Sequence, residues 1–232
     1  MGDVFRRLIA FDLDGTIVDS SRDLADSVND VLGGYGAAPL SHAAVTRMVG
    51  DGARVLVGRA LAAAGLPEYP DAITRFLEVY DTRLLNHTRL YDGIADVVQA
   101  ARAHGRVALL TNKPGRLSGR LLAGLGIERL FDDVVAGDGP FPRKPDPAAL
   151  IELIARANAT PRCALLIGDS RIDFETARRA GARCCLVEYG FSGRAFGDVG
   201  ADEAWVVADV AGVSDALARF VAGTAPASGS LD

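Results

Sequence analysis

Residues 11–20, FDLDGTIVDS, set two carboxylates, Asp12 and Asp14, one residue apart at the end of an apolar run. The LIAF that leads into them reads as a buried strand, and Gly15-Thr16 bends the chain directly afterwards. Like charges this close raise each other's pKa unless a cation compensates. The pair either solvates a loop or forms half of a site, and the rest of the chain discriminates.

Apolar runs of strand length recur downstream: RVALLT from Arg106, DDVVAG from Asp132, CALLIG from Cys163, ARCCLV from Ala182 and AWVV from Ala204. Segments of helical period separate them, such as IADVVQAARAHG, where Ile94, Val97, Val98 and Ala101 share one face and Gly105 stops the helix. PAALIELIARANA and FETARRAG read the same way. Strands without clean alternation, interleaved with helices, predict an α/β fold with a parallel sheet covered on both faces. From Ser20 to about Thr88 the rhythm changes, and no strand-like run appears. Leu24, Val28, Val31 and Leu32 form one helical stripe, with Ser20 or Ser21 as N-cap. Ile73, Phe76, Leu77, Tyr80 and Leu84 form another, and VLVGRALAAAG from Val55 a third. The expected organisation is a core of residues 1–18 plus 89–223, a helical cap of 19–88 that covers the DLD turn, and a disordered tail of 224–232.

In open parallel sheets, ligands bind beyond the carboxyl ends of the strands. There the sequence places Asp12, Asp14 and Thr16 after the first strand, then Thr111-Asn112-Lys113, then Lys144 within GDGPFPRKPDP, then Asp169, Ser170 and Asp173. Four carboxylates converging on one lysine call for a divalent cation, and oxygen-only ligands select a hard one such as Mg²⁺.

DLDGT, LLTN, RKPDP and GDSRID resemble, in order and spacing, the four motifs of the haloacid dehalogenase superfamily, over residues 12 to 173. The resemblance implies a Rossmann-like parallel sheet core with an inserted helical cap domain. It implies Asp12 as the nucleophile that forms an aspartyl-phosphate. Asp14 becomes the general acid/base and offers its backbone carbonyl to Mg²⁺. Thr111 and Lys144 hold phosphoryl oxygens, with Thr16 and Asn112 beside the substrate. Asp169 binds the metal, alongside Asp12, and Asp173 orients Lys144 or a water on the metal. A carboxylate attacks a phosphate dianion only when cations shield both, which Mg²⁺ and Lys144 supply. Asp14 must be protonated to serve a leaving alkoxide, and a like-charged neighbour pushes it that way. Dehalogenases of the superfamily release a halide and lack this acid, so Asp14 favours phosphoryl transfer.

TRMVGDGARVLVGRAL, residues 46–61, beside EYGF later, resembles the phosphoglycolate phosphatase subfamily. Gly50 and Gly52 give a mobile tip that reaches the site. Arg54 is the candidate for a substrate carboxylate, with Arg47 and Arg59 as further choices and a solvated helix residue as the alternative. The expected partner is a small phosphorylated metabolite. The nearest rivals are a sugar-phosphate or pyrophosphate phosphatase, or a β-phosphoglucomutase-like mutase. A silent binding protein on this fold would have lost one of Asp12, Asp14, Lys144 or Asp169, and all are present.

At 232 residues, 49% hydrophobic and 24% charged, the chain has an ordinary globular composition. A formal charge of -5 and a pI near 5.3 argue against a nucleic-acid binder. Cys163, Cys184 and Cys185 lie in apolar runs without CxxC spacing and read as buried reduced thiols, hence a cytoplasmic protein. MGDVFRRLIAFDLD, broken by charges, reads as too short an apolar run for a signal peptide, and Phe5-Arg6 lacks the Ser or Thr of a myristoylation motif. No membrane partner is expected, and a monomer or homodimer is.

Overall fold

The computed structural model describes residues 7–193, 196, 199–200 and 203–223. The expected tail and the first six residues of the expected core lie outside them.

Leu8–Phe11 forms β1, and Asp12 extends its ladder by donating its N–H to the Ile167 carbonyl at 2.8 Å. Val18–Asp19 is a two-residue strand, β2. Four helices follow: α1 at Ser21–Gly34, α2 at His42–Thr46, α3 at Ala53–Ala63 and α4 at Ala72–Arg83. The chain returns through β3, Arg89–Leu90, which pairs antiparallel with β2. Then come α5 (Ile94–Ala101), β4 (Arg106–Leu110), α6 (Gly115–Gly124), β5 (Asp133–Val135), α7 (Ala148–Arg156), β6 (Ala164–Gly168), α8 (Arg171–Ala180), β7 (Arg183–Val187), β8 (Trp205–Val207) and α9 (Val210–Val221).

The main sheet runs β5-β4-β1-β6-β7-β8, with every pairing parallel. Strand order therefore reverses at β1, flanked by β4 on one side and β6 on the other. That reversal opens a crevice at the carboxyl end of β1. Successive β1 side chains enter two separate cores. Ile9 and Phe11 pack with Val107, Leu109, Ile167 and the apolar stripes of α5 and α9, whereas Leu8 and Ala10 pack with Leu110, Leu166 and the stripes of α7 and α8. Burial on both faces is why the strands read as unbroken apolar runs rather than alternating ones.

The stripe of α1 is buried as read, and that of α4 turns inward through Phe76 and Tyr80. Helix α2 was not legible, being only five residues long. Helix α8 begins at Arg171, three residues before FETARRAG, because Ser170 and Asp173 close a reciprocal capping box there. The two crossings between sheet and helices lie side by side. Tyr91 donates its N–H to the Ile17 carbonyl at 3.1 Å, and buried Asp23 of α1 accepts from the His87 and Thr88 N–H groups and the Thr88 hydroxyl. Cys184 and Cys185 are buried, but Cys163 is partly exposed, since it sits in the 3₁₀ turn ahead of β6. No helix among the described residues is long and apolar enough to cross a membrane.

Candidate active site at the carboxyl ends of the strands

β1, β6 and the loop after β5 bring Asp12, Asp169, Asp173 and Lys144 together. The Lys144 ammonium lies 2.8 Å from Asp12 Oδ1 and 2.6 Å from Asp173 Oδ1. Asp173 reaches it because its other oxygen accepts from the Ser170 hydroxyl at 2.6 Å, which locks the carboxylate at the start of α8. Burial on its own would lower the Lys144 pKa, but Asp12 and Asp173 overcome it and hold the ammonium well above its ordinary value. Asp169 accepts the Phe191 N–H at 2.6 Å and the Ser192 N–H at 3.3 Å. Gly15 lets this carboxylate approach the turn: its φ is +84°, and a Cβ there would stand 2.3 Å from Asp169 Oδ2.

Oxygens of Asp12, Asp169 and Asp173 lie within 4.8 Å of one another. One lysine for three buried carboxylates leaves the cluster short of positive charge, and the proton affinities of Asp12 and Asp169 register it. Burial, with Asp173 adding to it and Lys144 opposing, pushes Asp12 up to about 6. Burial and the charges of Asp173 and Asp12 push Asp169 well above the carboxylate range. A hard divalent cation fits this donor set on both counts, oxygen chemistry and charge.

Asp14 is in a different setting. Its oxygens lie 2.9 and 3.0 Å from the Lys113 ammonium, and the Ser20 hydroxyl donates to it at 2.5 Å. Lys113 also donates to the Tyr80 hydroxyl of α4 at 2.6 Å. Burial opposes the charge on Lys113, yet Asp14 and Tyr80 more than offset it and hold the pKa up at about 12. Lys113 is thus a cationic partner for the second carboxylate of the opening pair, as Lys144 is for the first. Ser20 does sit at the N-cap of α1, but its hydroxyl serves Asp14 and makes no cap bond.

Between the sheet and the helices lies a small cavity, partly open to solvent. Asp12, Asp14, Thr111, Asn112 and Lys113 form its floor, with Leu24, Leu56, Phe76 and Leu117 among its walls. Gly50 and Gly52 reach it, with φ of +129° and +92°. A Cβ on Gly52 would stand 3.2 Å from the Asn112 carbonyl, so the tip lies against the floor. Arg59 braces this tip through Asp51 at 2.6 Å and the Met48 carbonyl at 3.1 Å.

Of the expected substrate contacts, Arg54 and Thr16 do not line the cavity, and Asn112 lines it with its amide engaged by the protein. Arg54 is exposed and lines a separate surface groove with Val57, Glu68 and Tyr69. Helical phase explains it, since Leu56, Val57, Ala60 and Leu61 hold the inward face of α3. The Asn112 side chain donates to the Gly50 and Lys144 carbonyls and accepts the Lys144 N–H, each at 2.9 Å. It ties the tip to the lysine loop and has little left for substrate. Thr16 is fully buried, and its carbonyl accepts the Tyr189 hydroxyl at 3.0 Å.

Lys113, Tyr80 and the Phe191 and Ser192 amides were not assigned roles from sequence. Lys113 stands in the same run as Thr111, and that adjacency was the available signal. Tyr80 hid inside an apolar stripe, and backbone donors carry no residue signature.

A family model described as haloacid dehalogenase-like hydrolase matches residues 9–187. Phosphoglycolate phosphatase 1 of Pseudomonas aeruginosa is 40% identical over 194 residues, covering 80% of this chain and 71% of that protein. The phosphoglycolate phosphatase of Rhodospirillum rubrum is 40% identical over 204 residues, 84% of this chain and 85% of that one. A crystal structure titled as a predicted phosphoglycolate phosphatase from Haemophilus somnus superposes with a TM-score of 0.80 at 30% identity, over 92% of this chain and 99% of that one.

Proposed function

We infer the reaction from one premise: the chain belongs to the haloacid dehalogenase-like hydrolases, and it is a phosphatase. In this reading it is a Mg²⁺-dependent hydrolase of small carboxylated phosphate monoesters, with 2-phosphoglycolate as the substrate. The observation that carries it is the cluster of Asp12, Lys144, Asp169 and Asp173, one cation short of balance, facing a small cavity that also holds Asp14. Residues 19–88 act as a cap over a core of 1–18 and 89–223.

Asp12 attacks phosphorus through a carboxylate oxygen, forming an O–P bond as the ester P–O bond breaks. A group titrating near 6 is already mostly anionic at neutral pH, and Lys144 at 2.8 Å shields it from the phosphoryl charge. The leaving oxygen takes its proton from Asp14. In the second half, Asp14 takes a proton from water, the water oxygen attacks phosphorus, and the bond to Asp12 breaks to release phosphate. Thr111 and Lys144 hold the phosphoryl oxygens throughout. A divalent cation held by Asp12, Asp169 and the Asp14 carbonyl, with Asp173 beside them, supplies positive charge against those oxygens when bound.

The test is phosphate release from 2-phosphoglycolate, a hexose phosphate, pyrophosphate and p-nitrophenyl phosphate, with and without Mg²⁺. A preference for 2-phosphoglycolate that disappears on chelation supports the reading. A preference for the hexose phosphate or pyrophosphate overturns the substrate while leaving the phosphatase.

A further inference from the structure

An anionic leaving group has to be met by something inside the cavity, and Arg54 lies outside it. Arg143 stands near the tip with its Nε on the Gly137 carbonyl, but it is exposed and does not line the cavity. Among the described residues that line the cavity, Lys113 is the one cationic side chain. We propose that the Lys113 ammonium recognises the carboxylate carried by the leaving-group half of the substrate, and that Tyr80 of the helical segment seats the ammonium for that contact. The inference rests on the carboxylated-ester reading above and names the residue that selects within it.

Position carries most of it. Asp14 must reach the ester oxygen that departs, so a group 2.9–3.0 Å from both Asp14 oxygens stands on the leaving-group side. In a two-carbon acid esterified at its hydroxyl, a single methylene separates that oxygen from the carboxylate. One lysine neighbouring Asp14 can therefore address the second group while Asp14 addresses the first. Lys144 is already held between Asp12 and Asp173 on the phosphoryl side.

The surroundings agree. An ammonium has three N–H donors, and here both Asp14 oxygens and the Tyr80 hydroxyl accept from Lys113, so a substrate carboxylate takes over one of the two Asp14 contacts. Tyr80 also lies with its ring centroid 4.5 Å from the ammonium, so one α4 side chain fixes Lys113 by both hydroxyl and ring face. The walls, Leu24, Leu56, Phe76 and Leu117, are apolar, and Lys113 is buried among them. A carboxylate entering such walls loses its hydration and is tolerated only where an opposite charge waits.

The experiment compares kcat/KM on 2-phosphoglycolate with that on ethyl phosphate, in which a methyl group replaces the carboxylate, for wild type, Lys113→Gln and Tyr80→Phe. Lys113→Gln keeps a hydrogen-bond donor beside Asp14, so some loss on both esters follows from that contact. The added loss on 2-phosphoglycolate should be roughly 10- to 100-fold, expressed mainly in KM. Tyr80→Phe should shift the ratio in the same direction by a smaller factor. Equal losses on the two esters would show that Lys113 serves Asp14 alone, which overturns the proposal. Should Lys113→Gln fail to fold, an unchanged ratio in Tyr80→Phe overturns it. A wild type that does not favour 2-phosphoglycolate over ethyl phosphate removes the carboxylated-ester reading itself, and the inference with it.

Discussion

The sheet edge and the helix-lined side of the cavity each hold a buried lysine, and the two are set up in opposite ways. Lys144 is shared by Asp12 and Asp173, in a cluster with more negative than positive charge. Lys113 has one carboxylate partner, Asp14, and a phenol, among side chains that are mostly apolar. The first arrangement is over-determined: each charge has several partners, and the surplus of anions calls for a cation. The second is balanced in charge and walled largely by apolar side chains, which suits discrimination between leaving groups. In the proposed mechanism, the first lysine thus serves the reaction and the second, with Tyr80, the choice of substrate.

The largest test of this division is Asp12→Asn. Activity should fall on the order of 10⁴-fold, as expected when a covalent nucleophile is removed. The fold should survive, because Lys144 keeps Asp173 and a costly buried anion disappears. Steady-state kinetics and a melting curve check the two halves separately. Wild-type turnover would remove Asp12 from the mechanism, and a collapsed melting curve would mean that the cluster is less redundant than its contacts indicate.

Asp14→Asn should behave in the opposite sense on stability. Lys113 then keeps a buried ammonium with no carboxylate among its described partners, a change that costs about 3 kcal/mol in comparable broken pairs. On alkyl phosphates the loss should be about 10³-fold, and less on p-nitrophenyl phosphate, whose leaving group departs without a proton. Matching stability losses in Asp12→Asn and Asp14→Asn would break the comparison between the two lysines.

Added Mg²⁺ should raise the melting temperature, by the equivalent of about 2.7 kcal/mol at a hundredfold excess over Kd. The sign of its pH dependence follows from Asp12, which sits at about 6 in the fold against an ordinary value of 3.8. A raised carboxylate gives the metal-free fold an advantage below the ordinary value that is lost as pH rises through about 6, where the buried anion's cost is fully present. The cation needs that anion, so its stabilisation should be greatest above pH 6 and shrink as pH falls through it. Differential scanning calorimetry at several pH values reads this directly. Asp12→Asn should lose most of the gain, and a gain independent of pH would place the cation away from Asp12.

How legible all this was in the sequence follows the same division. At the sheet edge, strand runs and the polar residues just after them share short stretches of chain, so LIAF, RVALL and ALLIG pointed to both the strands and Asp12, Thr111 and Asp169. Charge compensation was legible for the cluster as a sum but not as pairs. Nothing in DLDGT and TNK, a hundred residues apart, says that Lys113 takes Asp14 while Lys144 takes Asp12. On the helical side, periodicity identifies a face but not what it faces. Tyr80 read as one more core position, and its hydroxyl became informative only once α4 was set against the loop after β4.

Arg54 shows that limit most clearly and yields the smallest expected effect. Its proximity in sequence to Gly52 suggested reach into the site, yet the helix begins at Ala53 and rotates each next residue by about 100°. Leu56 and Val57 take the inward face, and Arg54 is turned to the groove beside Glu68 and Tyr69. Arg54→Ala should therefore change kcat/KM by less than about twofold on 2-phosphoglycolate and on ethyl phosphate alike, in line with an exposed substitution worth about ±0.5 kcal/mol. A selective tenfold loss on 2-phosphoglycolate would mean that α3 rotates or tilts to deliver Arg54 when substrate binds. The helical side would then select by movement rather than by the fixed contact of Lys113 and Tyr80.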